Sequence, residues 1–369
     1  MVPPFAPDLQ ALSRALKDAA TETLTGGFVL AIPSDSSASK PQTDPRNRWS
    51  FPNRLYLYQP GKTTRGSGLN LVLHLHYEAE LRDIATITAR QAAHLLRLHQ
   101  ERFGFAAKFP RGNTDAHLWV TNREPQTISG LLGGETWNNQ VYLYGAGQQI
   151  NSLEWMRRVA HEWGHLTLPG ARGYSEPEGD AAGYLGERVY LKWLHDEALA
   201  RTVSPQDGIR REDTETYVAR QVEPLVARFH KGGPGSPLLR GKRTENMDYY
   251  IGAALAFEAA FGGNLLGKAL FSINGTAPED LIPAMEYAVR QALTQRKTVQ
   301  ATLPAWVPLP KQTLLLSADA PGEVALSTRP PLAVGGAFQK PVRLEVQSAG
   351  WKWARTVSSN VKKLVLRAA

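Results

Sequence analysis

The chain has 369 residues, 42% of them hydrophobic and 21% charged, a balance that supports a buried core and excludes global disorder. It contains no cysteine, which excludes disulfides, thiolate zinc sites and cysteine nucleophiles. The net charge of +8 is uneven: residues 301–369 hold nine Lys/Arg against Asp319, Glu323 and Glu345.

Residues 1–25 read as an amphipathic helix. They lack the basic and apolar stretches of a signal peptide. A signal removed beforehand would leave the same text, so a secreted or periplasmic location stays open. Strand-like runs follow: "GGFVLAIP" (26–33), "RLYLYQP" (54–60) and "LNLVLHLHYE" (69–78). In the last, Leu69, Leu71, Leu73, Leu75 and Tyr77 alternate, which predicts one buried face. His74 and His76 share the opposite face. A metal could hold them there, and two polar positions on a solvent face explain them equally well.

Helical spacing runs over 80–104, with Gly104 placed to end it. "AHLWVT" (116–121) reads as a strand, and "GGETWNNQVYLYG" (133–145) as a turn leading into one. From about 178 to 230 the pattern is helical, then "KGGPGSPLLRGKR" reads as a loop. Helices are predicted over 246–263 and 277–295. Past 300, short apolar runs broken by Pro and Gly read as a small all-β module. No run of about 18 apolar residues occurs, so no transmembrane segment is expected.

"VAHEWGHLTLPG" (159–170) carries the chemistry. Asn151 and Glu154 have the spacing of a helix N-cap and its reciprocal partner. His161 and His165 then share one helical face, where both imidazoles can reach one Zn²⁺. Glu162, beside the first ligand, can face water without binding the metal and serve as general base. This is the His-Glu-x-x-His pattern of zinc peptidases. A pair of ordinary histidines on a helix is the alternative. A catalytic zinc needs a third protein ligand. The continuation with a glycine and a third histidine is missing, and Leu168 and Pro169 stand in that region instead. The candidates are therefore the downstream acids Glu176, Glu178, Asp180 and Glu187.

Here the text resembles the gluzincin clan of zinc metallopeptidases, the relatives of aminopeptidase N and leukotriene A4 hydrolase. The resemblance rests on the histidine motif, on Pro177-Glu178-Gly179-Asp180-Ala181-Ala182-Gly183-Tyr184, and on Tyr249-Tyr250-Ile251-Gly252. It implies Glu178 as the third metal ligand, with Glu187 next. It also implies Tyr249 as the hydroxyl that stabilises the oxyanion, with Tyr250 as the fallback. An edge strand just before the active-site helix, the stretch 135–147, would pair with an extended substrate. Ala182 stands where thermolysin-like enzymes carry an aspartate, and the Gly-x-Met-Glu-Asn signature that grips a free N-terminus is absent, with Gly134-Glu135-Thr136-Trp137-Asn138 a faint echo of it. The resemblance covers roughly residues 68–275.

The expected fold is α+β: N-terminal helix and strands over 1–78, a zincin-like catalytic domain over 79–300, and a basic all-β domain over 301–369. The expected activity is zinc-dependent hydrolysis of peptide or protein substrates. The rival is a non-catalytic zincin-like protein that binds an anionic surface or glycan through its C-terminal domain. Trp351 and Trp353 are candidates for its contact face. No motif for specific nucleic-acid binding accompanies the charge.

Overall fold

The structure is a computed structural model and describes residues 16–34, 41–63, 66–107, 109, 115–125, 133–147, 151–199, 207–273, 275–310, 313–320, 322–327, 334–338, 342–345, 353–356 and 359–368. The chain is α+β and divides into two compact units. One comprises Met1–Gln100, Ala106–Thr167 and Tyr190–Glu215; the other comprises Glu101–Phe105, Leu168–Val189 and Thr216–Ala369.

In chain order the strands of the first unit are β1 (Ala20–Thr23), β2 (Val29–Ile32), β3 (Gln42–Thr43), β4 (Ser50–Phe51), β5 (Asn53–Thr63), β6 (Gly66–Tyr77), β7 (Asp115–Val120), β8 (Gly134–Trp137) and β9 (Gln140–Leu143). Its main helices are α1 (Arg82–Leu98) and α2 (Ser152–Thr167). Seven strands form one mixed sheet in the order β1-β2-β5-β6-β7-β9-β8, and β3 pairs with β4 separately. The sheet runs across position 78. There α1 is the crossover that lets β6 and β7 pair in parallel.

The alternation read from the sequence sets the faces of this sheet. Leu55 and Leu57 on β5 lie opposite Leu75 and Leu73 on β6, and Leu118 on β7 lies opposite Leu75. All five are fully buried. Thr136 on β8 pairs with Val141 on β9 and so points to the same side. Its hydroxyl donates to the Glu162 carbonyl at 3.0 Å, which places α2 over that side. Trp155 on α2 in turn donates to the Thr88 hydroxyl of α1 at 3.0 Å.

Three expectations in this unit change. Ala20–Thr23 is a strand and not the end of a helix; residues 1–15 lie outside the described residues. The stretch 133–145 is a whole hairpin, turning at Asn138 with φ of 58°. The asparagine takes the left-handed conformation that such a tight turn requires. The face carrying His76 is also covered: His76 is 1% exposed, so it does not look into solvent.

The helices α3 (Ala182–Leu199) and α4 (Arg211–Tyr217) contribute residues to both units. The second unit holds α5 (Glu223–Gly232), α6 (Thr244–Phe261), α7 (Gly263–Leu270) and α8 (Leu281–Arg296). Eight strands follow: β10 (Thr298–Thr302), β11 (Trp306–Pro308), β12 (Thr313–Ala318), β13 (Gly322–Ser327), β14 (Val334–Phe338), β15 (Val342–Glu345), β16 (Trp353–Thr356) and β17 (Lys363–Ala368). They make two antiparallel sheets of four, β10-β17-β12-β15 and β11-β16-β13-β14. Leu314, Leu316, Leu364 and Leu366 are fully buried, as their alternation predicts. Trp353 is only 4% exposed, so it packs inward and offers no contact face; Trp351 lies outside the described residues. Among the described residues no helix is long and apolar enough to cross a membrane.

Candidate metal centre

Helix α2 begins where Asn151 Oδ1 accepts the Glu154 backbone N–H at 2.8 Å. The cap is the one read from the sequence. The Glu154 side chain meets Arg157 at 3.0 Å and so supports the first turn. Two turns on, His161 and His165 lie one turn apart with ring centroids 5.0 Å apart and planes at 73°. Each is half-buried, partly open and partly held by its surroundings.

Glu178 stands in a tight loop that closes on itself. Gly173 N–H donates to the Gly179 carbonyl and Ala181 N–H to the Ala171 carbonyl, both at 2.9 Å, with an antiparallel bridge between Arg172 and Asp180. Asp180 Oδ1 accepts the Ala182 N–H at 2.9 Å and so starts α3. Gly170 is required here: a Cβ on it would meet the Ala182 nitrogen at 2.5 Å.

Among the described residues two groups of three donors could hold a metal ion, and one of them is His161, His165 and Glu178. One ligand atom from each lies within 4.8 Å of the others. Two imidazole nitrogens and a carboxylate oxygen are a donor set that suits zinc and leaves a coordination position open. Glu187 has another task. It is 3% exposed and accepts the Tyr217 hydroxyl at 2.8 Å.

Glu162 is 5% exposed and sits against the edge strand. Its Oε2 accepts the Thr136 hydroxyl at 2.8 Å. Across from it, Gly134 offers no side chain: a Cβ there would lie 2.7 Å from the Glu162 Cγ and Oε1. The hairpin thus grips this carboxylate from two sides, a threonine holding one oxygen and a glycine leaving it room. In the sequence both residues appear only within the faint echo Gly134-Glu135-Thr136-Trp137-Asn138, with no role toward Glu162. The signal was the i, i+2 pair Gly134 and Thr136 on a strand immediately before the motif.

Tyr249 departs from the expectation. It is fully buried, and its hydroxyl donates to the Gly233 carbonyl at 2.7 Å. Its ring meets Phe229 of α5 edge-on, with centroids 5.6 Å apart. Burial raises the phenol pKa above its ordinary value. The glycine of the same motif is also explained by packing: a Cβ on Gly252 would lie 2.4 Å from the Leu225 carbonyl. The Tyr-x-x-Gly spacing therefore serves the close crossing of α5 and α6. Tyr250 is fully buried as well.

No family model matches the chain. No curated protein matches it either. Solved structures with a similar course include an aminopeptidase A of Legionella pneumophila in complex with aspartic acid, at 8% identity and a TM-score of 0.33, covering 86% of this chain and 36% of that one. Another is a mutant of a two-domain M1 zinc metallopeptidase bound to L-arginine, at 13% identity and a TM-score of 0.32, covering 75% and 57%. The chain spans less than two thirds of either protein.

Proposed function

We propose that this chain is a zinc-dependent peptidase. The observation that carries the reading is the group formed by His161, His165 and Glu178, flanked by the buried carboxylate of Glu162. His161, His165 and Glu178 would hold the ion. Zinc in such a set supplies Lewis acidity and makes water a competent nucleophile near neutral pH.

The rest falls to the protein's own groups. Glu162 takes a proton from the attacking water on its carboxylate and returns it to the leaving amine. Thr136 fixes the plane of that carboxylate through Oε2. The edge strand β8 lies at the end of the sheet, so an extended peptide can add to it by main-chain hydrogen bonds. Such binding tolerates many side chains, and it makes peptides or unfolded protein segments the substrate class. No oxyanion role falls to Tyr249, whose hydroxyl is spent on Gly233.

The test is cleavage of a peptide library by the zinc-loaded protein and by Glu162→Gln. The variant should keep its zinc and lose a factor of about 10²–10⁴ in rate. Equal cleavage by both proteins would refute the mechanism.

A further inference from the structure

The second donor group lies on the opposite face of the first unit's sheet, and the peptidase reading does not use it. The parallel register sets His74 beside His117 and Val72 beside Asp115. Since side chains alternate, His74 and His76 from β6 share one face with Asp115, His117 and Trp119 from β7. His74, Asp115 and His117 each offer a ligand atom within 4.8 Å of the others. Asp115 Oδ2 is 3.9 Å from His117 Nε2. An ion about 2.1 Å from each donor needs neighbouring donors about 3.4 Å apart, so a small rotamer adjustment closes the set. The rings of His74 and His117 are neighbours, with centroids 4.7 Å apart and planes nearly parallel, so a tilt of either ring is the adjustment that lets their in-plane lone pairs converge.

The surroundings are those of a built site. Asp115 is 3% exposed and His76 1%. His76 Nε2 lies 3.0 Å from His117 Nδ1, so it can orient the ring that would bind. His76 is itself fixed by stacking on Trp119 at 3.9 Å. Collecting an acid and three imidazoles on a covered sheet face is costly without a common partner. Arg54 stands near them and opposes any cation held by charge alone. That argues against calcium or magnesium, which rely on oxygen ligands, and for ions with high imidazole affinity such as Zn²⁺, Ni²⁺ or Cu²⁺.

We propose that His74, Asp115 and His117 bind a divalent transition-metal ion, with His76 as a positioning residue for His117. The ion would add a side-chain tie between β6 and β7, two paired strands connected along the chain by a long crossover.

The test uses full-length protein carrying His161→Ala and His165→Ala, stripped by a chelator and dialysed against Zn²⁺. It should retain about one zinc per chain, with two imidazoles in the X-ray absorption spectrum of the bound ion. Adding His117→Gln should abolish retention, and adding His76→Gln should weaken affinity about 10–100-fold. No retained ion, a bound ion without imidazole ligands, or retention unchanged by His117→Gln overturns the proposal. If His117→Gln does not fold, the absorption spectrum of the double variant decides alone. The wild type, measured beside it, keeps the two sites apart. Two ions in the wild type and one in the double variant support both sites. One ion in each leaves this site standing and removes the first. One in the wild type and none in the double variant does the reverse.

Discussion

Gly134 and Thr136 hold Glu162, the proposed general base. A carboxylate that is 5% exposed must be held by hydrogen bonds, and the Thr136 hydroxyl provides one at 2.8 Å. Thr136→Val removes that donor and keeps the shape. On the peptidase reading it should lower kcat about tenfold and leave KM unchanged, because it disturbs the proposed base and not the substrate. Gly134→Ala puts a methyl within 2.7 Å of Glu162 Cγ. The side chain must swing away, so kcat should fall at least about tenfold while the thermal midpoint moves little. Steady-state kinetics on both variants, with zinc content checked, decides the matter. Tyr249→Phe is the contrasting case. It should keep most of the activity and lose about 1 kcal/mol of stability, because it removes one donor from the Gly233 carbonyl and leaves only the Ser236 N–H. A large loss of kcat in that variant would return the tyrosine to the chemistry.

Among the elements, the end of α1 leads into an acid-labile group. His99 follows directly on this helix, is fully buried, and has its Nδ1 2.8 Å from the Tyr190 hydroxyl of α3. Burial pulls its pKa from 6.5 down to about 3. The folded chain therefore resists the proton that the unfolded chain accepts below pH 6.5. This contribution to stability is complete above pH 6.5 and is lost as pH falls from there toward 3. The thermal midpoint of chelator-treated protein should fall over that window, and His99→Gln should flatten the fall. At the other helix, the Asn151 cap was legible because a side-chain acceptor before an amphipathic run has a local job. Asn151→Ala should cost about 1 kcal/mol by denaturant unfolding. The strands of the last 70 or so residues were legible only in part. β12, β13, β15 and β17 show apolar alternation, while β11, β14 and β16 are short or rich in glycine and declare themselves only through their partners.

For the whole molecule, an ion that binds only the folded chain stabilises it in proportion to the logarithm of its concentration. Free zinc at about 100 times its dissociation constant adds about 2.7 kcal/mol per site, so chelation should lower the unfolding midpoint and zinc should restore it. A midpoint indifferent to both would count against either metal assignment. By itself the sequence determined what neighbouring residues can decide among themselves. It marked the Leu face of β6, the cap and histidine spacing of α2, and the change to strands near 300, because period and capping act over a few residues. Tertiary structure decided the rest. It buried Tyr249 and Gly252 in a helix crossing, set Gly134 and Thr136 around Glu162, and brought His117 beside His74 from 43 positions away. Each of these depends on which strand or helix becomes a neighbour. That choice is made by burial of the whole apolar surface, and no local pattern records it.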